Sequence, residues 1–302
     1  MRMISPAPPL PSWIRAEMPF ARAAMRIRGD LMSYVDHGPR DAQPVLLVHG
    51  NPTWSYLWRK VIARLDDGRF RLVAPDLVGF GTSAKPLRAS DHQLAMHAEH
   101  VAALVEELGL DRFIAVGQDW GGPIAMGAAK RSGRAAGIVL GNTAVLPPAR
   151  PFRSKAFHRF SHVPLVSDVV FRGALFPVPF MRSVQGERGS IGLRETAAYA
   201  WPFMHPLHRA GPLGLARMVP DSEHHPSTAV MDEIGAWVKA WRGPAALVWG
   251  TRDPVLGRGL ARHREALPQA RVFESSAGHF LQEEVPELFE HAIRGMTDAI
   301  LT

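Results

Sequence analysis

Residues 115–129, AVGQDWGGPIAMGAA, set a carboxylate between two glycines directly after an apolar run: Gly117, Gln118, Asp119, Trp120, Gly121. The pattern G-x-nucleophile-x-G, followed by small residues that can open a helix, is the layout of a strand–elbow–helix turn. There the glycines permit a strained backbone and the central side chain stands out above a sheet. An aspartate at that position has two readings: it caps the following helix, as Asp often does, or it is a nucleophile. The chain contains no G-x-S-x-G and no cysteine, so serine and thiolate nucleophiles have no residue to carry them.

A carboxylate nucleophile needs a leaving group on carbon, a base for a second step and an acid that orients the base. Folds built round such an elbow supply them in the order nucleophile, acid, histidine, at strand ends. LVWGTRDPVLG offers Asp253 just past a strand, and FESSAGHFLQEEVP offers His279 in the loop after the last strand. Alone, Asp253 reads as a turn residue before Pro254; in this order with Asp119 and His279 it reads as the acid. Of the fourteen histidines, His279 is the one that follows a terminal strand through small residues, whereas His97, His100, His224, His225 and His291 read as packing or surface residues.

Upstream, LVHGNPTWSYLWRK (47–60) ends an apolar strand in His49, Gly50 and Asn51. In this layout the loop after that strand gives one backbone N–H to an oxyanion hole and the residue after the nucleophile, Trp120, gives the other. Asn51 and Trp120 also carry side-chain N–H donors. Two such donors with no cation suit a singly charged, weakly basic anion such as a halide.

The elements that must position these residues follow from apolar runs. Residues 44–50, 70–76, 113–119, 136–142, 245–250 and 270–275 read as buried strands, near-continuously apolar as parallel strands covered on both faces are. Amphipathic stretches lie between several of them, such as 92–109, closed by Gly109. The alternation predicts an α/β fold with a mostly parallel central sheet flanked by helices. The rhythm breaks at 147–226, dense in Pro, Arg and aromatics; at about eighty residues it is too long and apolar for a loop. It is expected to be a helical cap over the carboxyl edge of the sheet, where open α/β folds bind ligands. The expected division is core 1–146, cap 147–226, core 227–302.

With 302 residues, 46% of them hydrophobic, the chain can bury a substantial core. Its net charge of +7 is spread along the sequence without a Lys/Arg run, which argues against a nucleic-acid partner. Neither an uninterrupted apolar leader nor a run near the about eighteen residues of a membrane span is present, so no membrane partner and a cytoplasmic location are expected.

Five segments together resemble the haloalkane dehalogenases of the α/β-hydrolase superfamily: HGNPTWSYLWR (49–59), APDLVGFGTSAKP (74–86), VGQDWGGP (116–123), GTRDPVLG (250–257) and GHFLQEEVPE (278–287). The resemblance runs from about residue 18 to the C-terminus and is least specific in the cap. It implies Asp119 as nucleophile, His279 as base, Asp253 as acid, and Asn51 with Trp120 as halide-binding pair, the subgroup with a late aspartate. Relatives that carry a glutamate after the fourth parallel strand differ, because GNTAVLPPAR has no carboxylate. Thr82 stands where such sequences usually have Asp. The implied reaction hydrolyses a small halogenated hydrocarbon to alcohol, halide and proton through an alkyl ester on Asp119, with no metal or organic cofactor. Phe152, Phe171, Phe176, Phe203 and Leu256 are the expected lining of an apolar pocket.

Three related activities compete. Epoxide hydrolases share the Asp elbow but use two cap tyrosines, and of Tyr34, Tyr56 and Tyr199 only the last lies in the cap. Haloacid dehalogenases of this fold place an arginine beside the nucleophile, where Trp120 stands. A cofactor-free luciferase-like oxygenase resembles a dehalogenase down to these residues.

Overall fold

A computed structural model describes residues 4–150, 152, 160–163 and 165–301. Nine strands form one sheet: β1 (Ser5–Pro6), β2 (Arg22–Ile27), β3 (Asp30–His37), β4 (Gln43–Val48), β5 (Phe70–Pro75), β6 (Phe113–Asp119), β7 (Ala135–Thr143), β8 (Ala245–Gly250) and β9 (Arg271–Ser275). They lie in the order β1-β2-β3-β5-β4-β6-β7-β8-β9. From β5 to β9 every neighbour is parallel, while β1, β2 and β3 pair antiparallel and join the sheet along β5.

The six expected strands are thus present, and the inner ones are as dry as their composition demands: Val45 to Val48 and Ile114 to Val116 have no solvent exposure. β9 departs from the expectation of a buried strand. It is half-exposed because it closes the sheet and has a single neighbour. β2 and β3 were not expected. Their apolar residues are interrupted by Arg22, Arg26, Asp30 and Asp36, the weaker pattern of antiparallel strands.

Helices cover the sheet in two groups. Arg59–Leu65 packs against Pro286–Leu301, and Leu94–Glu107, Gly121–Ser132 and Pro226–Ala240 pack on one another. The second of these two groups includes the expected 92–109 helix, two residues shorter at each end. Gly109 lies at φ +61° and the Leu110 N–H returns to the Val105 carbonyl at 3.0 Å, a left-handed helix stop.

Between β7 and the helix Pro226–Ala240 the described residues form short helices and no strand, among them Val178–Val184, Leu193–Ala200 and Ala210–Arg217. This inserted segment is fastened to the loop after β4. Fully buried Trp54 donates its indole N–H to the Ala198 carbonyl at 3.1 Å and stacks on Tyr56, while Trp58 meets Phe289 edge-on in the core. The two tryptophans beyond β4 therefore serve packing. No described helix is long and apolar enough to cross a membrane.

The chain leaves β4 for β5 on one side and returns to β6 on the other. The carboxyl ends of β4 and β6 thus flank a topological switch point, the place where open α/β sheets leave a ligand crevice. Asn51 follows β4 and Asp119 ends β6.

Candidate active site

Asp119 is held at φ +52°, a region a non-glycine residue occupies only under constraint, at an irregularity in the β6–β7 register. The constraint comes from backbone contact on every side. A Cβ on Gly117 would lie 2.3 Å from the Gly121 carbonyl oxygen, and one on Gly121 would lie 2.0 Å from that of Val48. Thr143 Oγ1 donates to the Asp119 carbonyl at 2.6 Å. The helix Gly121–Ser132 starts two residues later, so its positive end faces the carboxylate.

Gly50 lets the β4 loop approach: a Cβ there would lie 2.4 Å from Asp119 Oδ1. As a result the Asn51 backbone N–H donates to Asp119 Oδ1 at 2.9 Å. The Asn51 side-chain Nδ2 donates to the Pro212 carbonyl of helix Ala210–Arg217 at 3.0 Å, while its buried Oδ1 has no partner among the described residues. Trp120, the N-cap of the elbow helix, is half-buried beside it.

His279 Nε2 lies 3.5 Å from Asp119 Oδ2, and its Nδ1 lies 2.9 Å from Asp253 Oδ2. Three groups expected from chain order alone thus form one row. Asp253 also accepts the Val255 N–H at 2.7 Å and Asn142 Nδ2 at 2.8 Å. Burial opposes ionisation of Asp253, but the facing imidazole and the backbone N–H groups of Val255 and Leu256 outweigh it and lower its pKa. Burial likewise opposes protonation of His279, yet the Asp253 and Asp119 carboxylates prevail and lift the imidazole to about 10. Chemically, the row is a carboxylate open to one side, next to an imidazole whose basicity depends on that carboxylate's charge.

His49 is not part of the row. Its Nε2 accepts the Leu77 N–H at 3.0 Å and its Nδ1 pairs with the Gly50 carbonyl at 2.9 Å, so it is a neutral strut with its pKa pushed down to about 4 by burial. Of the apolar lining candidates, Leu256 lies three residues after Asp253 on the same loop. Phe203 meets Phe80 edge-on at 5.8 Å, and Phe80 in turn meets His49. Phe171 and Phe176 pack on each other at 5.2 Å beside Leu213 of helix Ala210–Arg217, and Phe152 lies 5.5 Å from the Arg150 guanidinium. Thr82 takes a hydrogen bond from Arg22 at 2.7 Å and gives its own N–H to Asp76 at 2.9 Å, so the loop closes without a carboxylate at that position. No group of three or more His, Asp or Glu side chains converges as a metal site would among the described residues.

Asn142, which ends β7, was not singled out by sequence reasoning except as a missing carboxylate. Its Nδ2 donates to Asp253 Oδ2, to the Gly250 carbonyl at 3.3 Å and to the Gly278 carbonyl at 3.1 Å, and its Oδ1 accepts the Gly250 N–H at 2.8 Å. One amide joins the ends of β7 and β8 to the histidine loop. The signal available in sequence was an amide side chain ending an otherwise apolar buried strand.

A parallel sheet with a strained carboxylate elbow, a strand-end aspartate and a late histidine defines an α/β hydrolase, and the family model described as alpha/beta hydrolase fold matches residues 43–286. A haloalkane dehalogenase of Mycobacterium marinum is 36% identical over 273 residues, 87% of each chain, and one of Mycolicibacterium paratuberculosis is 34% identical over 270 residues, covering 87% of this chain and 86% of that one. Among solved structures, the haloalkane dehalogenase DbeA of Bradyrhizobium elkani superposes with a TM-score of 0.83 at 27% identity, covering 93% of this chain and 98% of its own. The chain belongs to the haloalkane dehalogenase family.

Proposed function

We propose that the chain, a hydrolase acting on carbon–halide bonds as its family is, works in two steps. Ionised Asp119 attacks the halogenated carbon in line: its oxygen bonds to carbon, the carbon–halogen pair leaves with the halide, and the halide is received by the side-chain N–H groups of Asn51 and Trp120. His279, oriented by Asp253, then takes a proton from water that attacks the ester carbonyl carbon. The resulting oxyanion rests on the backbone N–H groups of Asn51 and Trp120. Alcohol, halide and a proton are released, and Asp119 is regenerated.

The observation that carries this reading is the Asn51 N–H on Asp119 Oδ1. The donor already sits on the oxygen that becomes negative in the second step, as a preorganised oxyanion site requires. Electrostatics support the sequence of steps. Two carboxylates hold His279 protonated in the free site; alkylation of Asp119 removes one of those charges, so the imidazolium gives its proton to solvent and is free to act as the base of the second step. Residues 147–226 act as the cap, with 1–146 and 227–302 as core. The substrate class is small halogenated hydrocarbons, and Phe203, Leu256, Phe171, Phe176 and Phe152 are the proposed apolar lining.

The epoxide alternative needs two phenols directed at the nucleophile. Tyr199, the cap tyrosine, instead gives its O–H to buried Glu283 at 2.5 Å, and Tyr56 is bonded to Glu17. The test measures halide release from short bromo- and chloroalkanes, with styrene oxide hydrolysis in parallel, on wild type and Asp119→Ala. Bromide release abolished by the substitution is expected. Diol formation without halide release would reverse the assignment in favour of epoxides.

A further inference from the structure

The loop that carries His279 does not stand alone. The inserted segment crosses it at residues 184–187, so closely that a Cβ on Gly278 would lie 2.3 Å from the Val184 carbonyl oxygen and one on Gly186 2.4 Å from that of Ser276. Along this crossing the His279 N–H donates to the Val184 carbonyl at 2.9 Å. Buried Gln185 acts like a strand neighbour: its Oε1 accepts the Phe280 N–H at 2.8 Å and its Nε2 donates to the Phe280 carbonyl at 3.2 Å. Glu284 completes the clasp, accepting the N–H groups of Gly186 at 3.0 Å, Gly278 at 2.9 Å and Glu187 at 2.7 Å.

Neither side chain reaches Asp119 or the reacting atoms, but both fix the peptide units on each side of His279. Asp253 holds the ring at Nδ1, and Gln185 and Glu284 hold the backbone from which the ring projects. We propose that Gln185 and Glu284 are positioning residues for His279, through which the inserted segment sets the rate of ester hydrolysis and leaves carbon–halogen cleavage untouched. The inference rests on the two-step reading above, in which the imidazole acts in the second step only.

That division gives a kinetic signature. In a two-step reaction kcat/KM reports events up to the first irreversible step, here halide departure, whereas kcat follows ester hydrolysis once that step is the slower one, as a misplaced base makes it. Misplacing a base by about 1 Å costs roughly 10²-fold. Gln185→Met and Glu284→Gln, assayed with a short bromoalkane, should therefore lose kcat and KM together by roughly 10- to 100-fold, with kcat/KM within about two-fold of wild type. The peptide bearing Asp119 should then carry the alkyl mass increase during turnover. Gln185→Glu keeps the acceptor for the Phe280 N–H and should recover part of the loss. If Gln185→Met fails to fold, Glu284→Gln carries the test.

Folded variants in which kcat/KM falls as far as kcat, or in which kcat stays at the wild-type value, would overturn the proposal. Failure of the underlying reading looks different: wild type releases no bromide and His279→Phe traps no adduct on Asp119. In that event the positioning role is read from the ¹⁵N titration of the His279 ring. A titration midpoint displaced in both variants sustains the role, and curves identical to wild type overturn it.

Discussion

At the scale of single residues, the buried carboxylate of the row, Asp253, is held by an amide. Asp253 is buried, and of its two oxygens Oδ2 is shared between His279 and Asn142. Asn142 itself sits at φ +26°, a conformation Asn tolerates better than residues without a short polar side chain. Asn142→Ala should therefore cost about 2 kcal/mol, the range for a hydrogen bond to a buried charge, read as a lower urea midpoint with unchanged slope. A midpoint within error of wild type would mean the Val255 N–H and His279 hold Asp253 without it. Asp119, Asp253 and His279 were legible in the sequence because each follows an apolar run and their order along the chain is itself informative. Asn142, Gln185 and Glu284 were not, since their partners lie as far as 136 residues away, and the one local sign, an amide ending an apolar strand at Asn142, does not say what it bonds.

At the scale of elements, the crossing of β4 and the elbow helix governs the site. A Cβ on Gly121 would lie 2.0 Å from the Val48 carbonyl oxygen and 2.7 Å from that of His49, both backbone and so unable to yield as a side chain would. Gly121→Ala should separate β4 from the elbow, costing about 3 kcal/mol as overpacking of a rigid contact does. It should also lower halide release, because the Asn51 N–H moves off Asp119. Gly173→Ala, where the nearest atom is Val169 Cγ1 at 3.9 Å, is the matching control and should leave both stability and rate unchanged. Equal urea midpoints for the two variants would show that the crossing is more pliable than its distances indicate. The same packing explains which elements could be read in advance. Strands buried on both faces need unbroken apolar runs, and these were visible. β2 and β3, antiparallel and with charges among their apolar residues, carry weaker patterns, whereas β9 was legible as a strand and only its exposure along one edge was not.

At the scale of the whole molecule, stability should depend on pH with opposite signs from different histidines. His49 and His92 are pushed down to about 4 by burial, and His97 well below its usual value, so all three are neutral in the native state. His92 and His97 stack at 5.4 Å, with His92 wedged between Gly79 of the core and Gly214 of helix Ala210–Arg217. Their native pKa values are depressed, so below about 6.5 the unfolded chain binds more protons than the native one. Their contribution is full above about 6.5 and is lost as pH falls toward 4, by about 3 kcal/mol each for His49 and His92. His279 runs the other way: its raised pKa contributes below about 6.5 and is lost as pH rises toward 10. Added positive charge on a chain already at +7 deepens the acid limb. Urea unfolding should therefore show stability falling steeply between pH 6.5 and 5, before the carboxylates titrate, and His92→Gln should make that limb shallower by close to one proton. A stability that stays level from pH 7 to 5 would mean these histidines are protonated in the folded protein, and that the contact between His92 and helix Ala210–Arg217 opens to water.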